Sequence, residues 1–523
     1  LQAQPGVAAE RIHEANVLPT VSLYAAFEPE VYENPPRQVR SDPLLARDGN
    51  IYFGSATGGD GAGAIARLSP DNELSTLYAL KSDGKEGVSI FGPLVQGPAP
   101  DDNLYGTAYF GGGEGLGTLF RVSPLDGTFT VLYNFGGGKP NAALPYTGVV
   151  FGPDGYLYGT TLNGGVRNKG TVYRIAPDGT DFSILHQFDG PDGENPEGTL
   201  VVGADGQLYG TTLVGGSDNR GVLYRISTSG SYELLYSFPK LGSFNADGMP
   251  VNATGANPRA GLMLSADGNF YGTTAQGGPQ GHGTLFRMTP EGQVSVVHAF
   301  GGPNYGGSTP LAGVVQDELG NFYGTTLYGG FYHAGSVWRL TADGTFSLLH
   351  SFTGSYSEGQ APHAAVLLAN GTIYAISYSD SGSANGYGAI IRLDAGNGGP
   401  LPVDLTISSR QITMGEQVTL NWTAPAGATC TKNMGNTDWK DEAGDSGSQT
   451  LTLFVPGPIM FALSCVDADD GDESTPQVTR NAYVGVVVNA PLLQPVDGGA
   501  AGAGSLSLGW LLLAAALLCF KVK

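Results

Sequence analysis

One tyrosine returns along most of this chain at a nearly fixed distance. Its setting is clearest in residues 154–188, which read DGYLYGTTLNGGVRNKGTVYRIAPDGTDFSILHQF. The skeleton is DG-x-[LIF]-Y-G-T-T-x-x-GG, a short gap, G-T-[LV]-[FY]-R-[VIL], a turn, and x-[LVI]-[YH]-x-F. The tyrosine recurs at Tyr52, Tyr105, Tyr158, Tyr209, Tyr271, Tyr323 and Tyr374, in steps of 53, 53, 51, 62, 52 and 51 residues. Seven copies at a near-constant period require a repeat architecture.

Each copy carries four short β signals: an apolar step (148–151 or 199–202), L-Y-G-T-T, T-V-Y-R-I and F-S-I-L-H-Q-F. Alternation, β-branched and aromatic residues and glycine-bounded turns favour strands. Asp154-Gly155 and Asp178-Gly179 mark tight hairpins, because both residue types tolerate positive φ. Four antiparallel strands per copy make one blade of a β-propeller. The seventh copy ends after its third strand, GAIIRL at 388–393, while an unmatched fourth-strand pattern, VSLYAAF, stands at 21–27. Pairing the two closes a ring and removes an exposed sheet edge. The expected fold is all-β: a seven-bladed propeller over 20–398, after a lead-in at 1–19. The Asp-Gly turns fall on one face. The second-to-third and blade-to-blade connections fall on the other, the longest being 239–259.

Glycine stands at 83 of 523 residues, and its placement in the repeat reflects tight turns rather than low complexity. Asp and Glu number 47 against 25 Lys and Arg, a formal net charge of −22. That excludes a nucleic-acid backbone as partner and suits a protein facing the outside of a cell. The opening LQAQ is consistent with the end of a removed signal peptide.

Beyond a Gly/Pro linker, residues 399–490 alternate with period two and contain Cys430 and Cys465. A small β-sandwich with one disulfide, hence an oxidising compartment, is expected; a pair of buried free thiols is the alternative. The order GEQVTLNWTAP…ATC…SGSQTLTL…FALSCV…NAYVGVVV resembles bacterial immunoglobulin-like domains, without antibody spacing. A linker at 491–505 with Gly498 and Gly499 leads to an apolar run at 506–520 and a basic end, making 506–523 a candidate transmembrane helix. Glycines, short apolar helix and basic end resemble a GlyGly-CTERM sorting signal. That resemblance implies a rhombosortase-type protease cutting near Gly498 and Gly499; a plain membrane anchor is the alternative.

The repeat itself resembles the Gloeo/Verruco (GloVer) tandem repeat, through the Y-G-T-T-x-x-GG, G-T-[LV]-[FY]-R and [LV]-[YH]-x-F segments. The resemblance implies a secreted, anchored repeat protein and no established activity.

Arg67, Arg121, Arg174, Arg225, Arg287, Arg339 and Arg392 occupy one slot of the third strand. A residue repeated by every blade is expected to bond within the scaffold, its fork satisfying carbonyls, rather than to form an anion ring. His186, His298 and His350 share the fourth-strand slot with tyrosines and are read as packing residues; His282, His333 and His363 lie in loops and stay open. No metal site is expected, and calcium near Asp467 and Asp469 is a weak candidate because the EF-hand spacing fails at Gly471. The blades differ in loop aromatics. Tyr305, Tyr328, Phe331, Tyr332, His333, Tyr356, Tyr378 and Tyr387 are the ligand-binding candidates, since exposed aromatics stack on sugars or anchor proteins.

With no catalytic residues assigned and no cofactor expected, the leading reading is a secreted, surface-anchored module binding a polysaccharide or protein at a bacterial envelope. A carbohydrate-active lyase or hydrolase, using loop acids such as Asp60, Glu114, Asp192, Glu194 and Asp218, is the first alternative. A purely structural envelope protein is the second.

Overall fold

The computed structural model describes residues 20–26, 37–71, 73–136, 141–245, 248–302, 307–354, 360–369, 372–378, 388–394, 404–408, 411–424, 429–433, 441–454, 457–466 and 479–489. The lead-in at 1–19, Tyr305, Tyr356, Tyr387, Asp467, Asp469, Gly498, Gly499 and the apolar tail lie outside the described residues.

Seven four-stranded antiparallel sheets succeed one another along the chain and form a seven-bladed β-propeller. In blade 3 the strands are Val150–Phe151, Leu157–Thr161, Thr171–Ile175 and Ser183–Gln187, side by side in that order. Blade 7 takes its fourth strand from the other end of the chain. Thr20–Ala26 pairs antiparallel with Ala389–Asp394, Val21 opposite Leu393, with a bulge between Leu23 and Ala25. Ring closure thus follows from the order of strand patterns in the sequence.

The core lies between blades. Tyr158, Val172 and Phe188 of blade 3 pack on Leu200, Leu208, Val222, Tyr224 and Ile226 of blade 4. Both faces of each second strand are covered, so L-Y-G-T-T is buried at every position in blades 3 and 4. Its glycine has a steric reason: a Cβ at Gly106 would stand 2.7 Å from Cζ of Phe120, the third-strand aromatic opposite. The outermost strands are joined by stacked rings, Tyr78 on Phe129 at 4.4 Å, Tyr133 on Phe182 at 4.3 Å and His298 on Phe346 at 4.3 Å. His186 likewise stacks on Tyr232 at 3.9 Å. The fourth-strand histidines therefore sit where other blades place tyrosine.

The recurrent tyrosine fastens the hairpin between the first and second strands. The hydroxyl of Tyr158 donates to Asp154 Oδ2 at 2.7 Å, and Tyr52, Tyr105, Tyr209, Tyr271 and Tyr323 make the same bond to Asp48, Asp101, Asp205, Asp267 and Asp317. Burial and the adjacent carboxylate push the Tyr105 phenol up to about 12.

C-terminal to the propeller, described strands form a three-stranded sheet (Asp404–Ile407, Gln417–Thr423, Ser446–Thr452) and a five-stranded sheet. Cys430 and Cys465 form a disulfide within the five-stranded sheet, as directly opposed residues of neighbouring strands. Both cysteines are fully buried. Among the described residues no helix is long and apolar enough to cross a membrane.

Candidate functional site

A single cavity of about 80 Å³ receives a side chain from every blade. The seven contributors are Arg40, Phe91, Tyr146, Glu197, Arg259, Leu311 and His363. Each stands four residues ahead of its blade's first strand, as Glu197 precedes Val201–Val202 and Arg259 precedes Met263–Leu264. They occupy one structural position, at the end of the strands where blade-to-blade connections arrive. No two neighbouring blades place the same residue there.

The repeat builds that position from parts that do not vary in role. Two residues earlier the backbone is left-handed in every blade: Gln38, Ser89, Leu144, Asn195, Asn257, Thr309 and Ala361 have φ between 53° and 65°. Non-glycine residues enter this region only when their surroundings hold them there. The holding bonds are main-chain. Asn195 N–H donates to Lys169 O of the preceding blade at 3.0 Å, and Asn195 O accepts from Leu213 N–H of its own blade at 2.9 Å. Asn257 repeats the pair with Arg220 O at 2.8 Å and Ala275 N–H at 3.2 Å. A proline follows in blades 3 to 7, and the glycine of G-T-[LV] in the blade before makes room for it. A Cβ on Gly170, whose φ is +102°, would lie 2.6 Å from Pro196 Cδ. Finally the first threonine of Y-G-T-T reaches into the next blade. Thr211 Oγ1 donates to Ala260 O at 2.9 Å, Thr273 to Ala312 O at 2.9 Å and Thr325 to Ala364 O at 3.1 Å. A constant backbone conformation, with recurrent glycine, proline and threonine partners, holds the segment, and each blade places its own residue at the cavity.

The lining is mixed in charge. Arg40 lies against two rings, its Cζ 5.2 Å from the Phe91 centroid and 5.0 Å from that of Tyr378. An Nη donates to the Tyr378 hydroxyl at 3.3 Å, while Nε is buried without a hydrogen-bond partner. Arg259 faces Glu197 at 3.6 Å. Burial raises the Glu197 carboxyl against the opposing pull of Arg259 and Arg40. His363 meets the Tyr378 ring edge-on at 4.6 Å; burial, with Arg40 and Arg259 near, lowers its pKa to about 4 and keeps it neutral. Asp42, also lining the cavity, accepts from Ala365 N–H at 2.6 Å, and burial pushes it up to about 6. On the blade 2 and 3 side, Phe91, Tyr109 and Tyr146 form a mutual cluster with centroids 5.2–5.6 Å apart. Phe110, 44% exposed, extends it at 4.2 Å from Tyr109.

Of the aromatic candidates read from the sequence, Tyr328 and Tyr332 are exposed by 52% and 45%, and Phe331 touches Tyr332 at 4.9 Å. His333 occupies the same blade 6 connection with φ +58°. Tyr378 departs from the expected exposed loop residue: it is 4% exposed, because it packs under Arg40 and against His363. The repeated arginines lie directly opposite the recurrent tyrosines, as Arg174 faces Tyr158 and Arg225 faces Tyr209. Where carbonyl partners were expected, Arg67, Arg174 and Arg225 bond to side chains, Ser75, Ser183 and Glu233. Those residues sit opposite them on the fourth strand. Among the loop acids, Asp192 bonds His186 at 2.8 Å and Glu194 pairs with Lys169, so both are committed outside the cavity. Among the described residues no cluster of three His, Cys, Asp or Glu could hold a metal ion.

The cavity ring was missed in the sequence, although a signal for it exists. Copies three to seven agree on a proline ahead of the apolar step, yet differ at the residue after it: Tyr146, Glu197, Arg259, Leu311 and His363.

A family model described as the Gloeobacter/Verrucomicrobia repeat matches residues 39–255 and 243–410. No curated protein matches the chain. Among solved structures, the extracellular domain of a B. thetaiotaomicron protein described as a one-component system shares 12% identity at a TM-score of 0.46, over 90% of this chain and 59% of that one. The chain thus spans less than two thirds of that neighbour's length. A fungal alcohol oxidase of the AA5 family, in complex with copper, shares 13% identity at a TM-score of 0.46, over 90% of this chain and 100% of that one.

Proposed function

This chain belongs to the Gloeobacter/Verrucomicrobia repeat family, and from that premise we propose that it is a non-enzymatic binding module displayed at a bacterial envelope. The observation that carries the reading is one position of a repeated backbone that holds six residue types across seven blades, with all seven occupants lining one cavity. Scaffold residues recur because every blade needs them; a position that changes from one blade to the next answers to something outside the scaffold. The ligand is a polysaccharide or protein that enters at the loop face, with Tyr328 and Tyr332 on the same face as an outer contact surface. The buried Cys430–Cys465 disulfide supports export to an oxidising compartment. Anchoring by the C-terminal apolar segment, and its release by a rhombosortase-type protease near Gly498 and Gly499, belong to the same proposal. Mass spectrometry of the mature C-terminus tests them, since a protein ending at Lys523 excludes cleavage.

A glycan-array screen of the full chain tests the binding itself. Hits that weaken on replacing Tyr146 or Arg259, in variants melting like the wild type, support it; hits indifferent to both residues would remove the cavity from the site. A second reading, a lyase or hydrolase, is favoured by two non-repeated acids in the cavity, Asp42 and Glu197. Turnover assayed on each array hit separates the two.

A further inference from the structure

Among the described residues Arg40 is a cation with no carboxylate in ion-pair contact. Two aromatic faces shield its guanidinium, its Nε is buried with no hydrogen bond, and its contact to the Tyr378 hydroxyl is long at 3.3 Å. Among the described residues no carboxylate comes within ion-pair distance of it. The two acids of the cavity are turned elsewhere, Glu197 to Arg259 and Asp42 to Ala365 N–H. A half-buried guanidinium whose Nε is enclosed without a partner, and whose polar contacts are tyrosine hydroxyls, is a poorly compensated charge. A chain of formal net charge −22 has acids to spare for pairing it. Glu197 feels Arg40 only at longer range, without an ion-pair contact.

Beside this cation stands a wall of a different kind. Tyr109 and Tyr146 lie 5.6 Å apart and, with Phe110, continue toward the surface. The rings meet tilted or edge-on rather than as one flat platform. Aromatic rings next to a guanidinium suit a ligand that is carbohydrate on one side and carboxylate on the other. The cavity holds about 80 Å³, against about 150 Å³ for an engineered cavity that takes benzene. A carboxylate fits inside; a pyranose ring stays at the mouth, over the aromatic wall.

We propose that the cavity binds the carboxylate of a uronic-acid residue in an acidic polysaccharide. Arg40 takes the carboxylate, Arg259 divides its charge between the ligand and Glu197, and Tyr109 and Phe110 carry the sugar ring. The assignment rests on the binding-module reading and names its ligand class. A peptide C-terminus brings the same carboxylate, but its amides need main-chain partners where this wall offers aromatic carbon.

The test is titration calorimetry of the full chain with oligogalacturonate, oligomannuronate and oligoglucuronate. The same chains with reduced carboxyl groups, and a peptide with a free C-terminus, serve as controls. The expected result is binding of at least one oligouronide, weakened about tenfold or more by carboxyl reduction and by Arg40→Gln. Glu197→Gln should act the other way and tighten binding severalfold, since it frees Arg259. A folding defect cannot produce that opposite sign, and melting curves check Arg40→Gln. Equal binding of the reduced chains, or an oligouronide affinity untouched by both substitutions, overturns the acidic-sugar assignment and leaves the binding-module reading standing. Binding confined to the free-carboxylate peptide overturns it in favour of a protein ligand. Failure of every oligouronide, with no hit on the glycan array either, removes both.

Discussion

Ala365 N–H donates to Asp42 Oδ1 at 2.6 Å, which ties the last blade to the first at the rim of the central cavity. Burial there holds the carboxyl near 6, above its ordinary 3.8. A folded-state pKa raised in this way contributes stability that is complete below about pH 3.8 and lost as pH rises through 6. Asp42→Asn keeps an acceptor for Ala365 and does not titrate. It should match the wild type in melting temperature near pH 4 and exceed it above pH 6. Asp42→Ala leaves the N–H unsatisfied and should cost about 1–3 kcal/mol throughout. Thermal melts of the three proteins across that range decide the matter, and an Asn variant that loses ground at high pH would contradict the buried-acid account.

Gly170 shows how little freedom the ring segment has. Its φ of +102° is strained for any residue with a side chain, and a Cβ would press on Pro196 Cδ at 2.6 Å. Pro196 precedes Glu197, so the clash would move a cavity residue directly. Gly170→Ala should destabilise the protein by about 2 kcal/mol or more. Denaturant midpoints measure this, with Gly155→Ala as a comparison in which φ is +80° and no atom lies within 4 Å. The comparison should retain the larger share of stability, because it carries backbone strain without the contact.

Removing residues 1–26 tests ring closure. The truncated chain loses the strand paired to Ala389–Asp394 and leaves that strand as an open edge. A lower melting temperature and concentration-dependent association on gel filtration are expected. An unchanged melt with a monomeric profile would mean that the seventh blade does not need its fourth strand.

Strand quartets and closure were legible in the sequence because their causes are local: Asp-Gly turns, alternation, and a missing fourth strand at one end matched by a spare at the other. The cavity was not. Residues 199–202 read as an apolar strand, whereas the strand is only Val201–Val202. The preceding Asn195-Pro196-Glu197 is a left-handed step that aims Glu197 inward, and hydrophobic periodicity has no access to it. The partner of Arg259 was equally hidden, since Glu197 lies one blade away and 62 residues earlier. In the sequence the difference between blades shows first in their loop aromatics, such as Tyr328 and Tyr332. A single substituted position inside a constant frame, the more telling kind, sat in what looked like core.

His298 gives the acid limb of stability a named residue. It stacks on Phe346 of the next blade at 4.3 Å and 2° between planes, and burial lowers its pKa from 6.5 to about 4. The folded state therefore favours the neutral ring. The contribution is complete above pH 6.5 and declines as pH falls toward 4, because the unfolded chain takes up the proton first. About 3 kcal/mol is at stake for one histidine shifted this far. His363 follows the same sign, so replacing His298 alone should remove part of the slope and not all of it. His298→Phe keeps a flat ring against Phe346 and cannot titrate. Its stability between pH 6.5 and 4 should fall less steeply than that of the wild type, with the two converging at neutral pH apart from a constant offset. Parallel curves would show that His298 is already charged in the folded protein and that its stack with Phe346 does not exclude the proton.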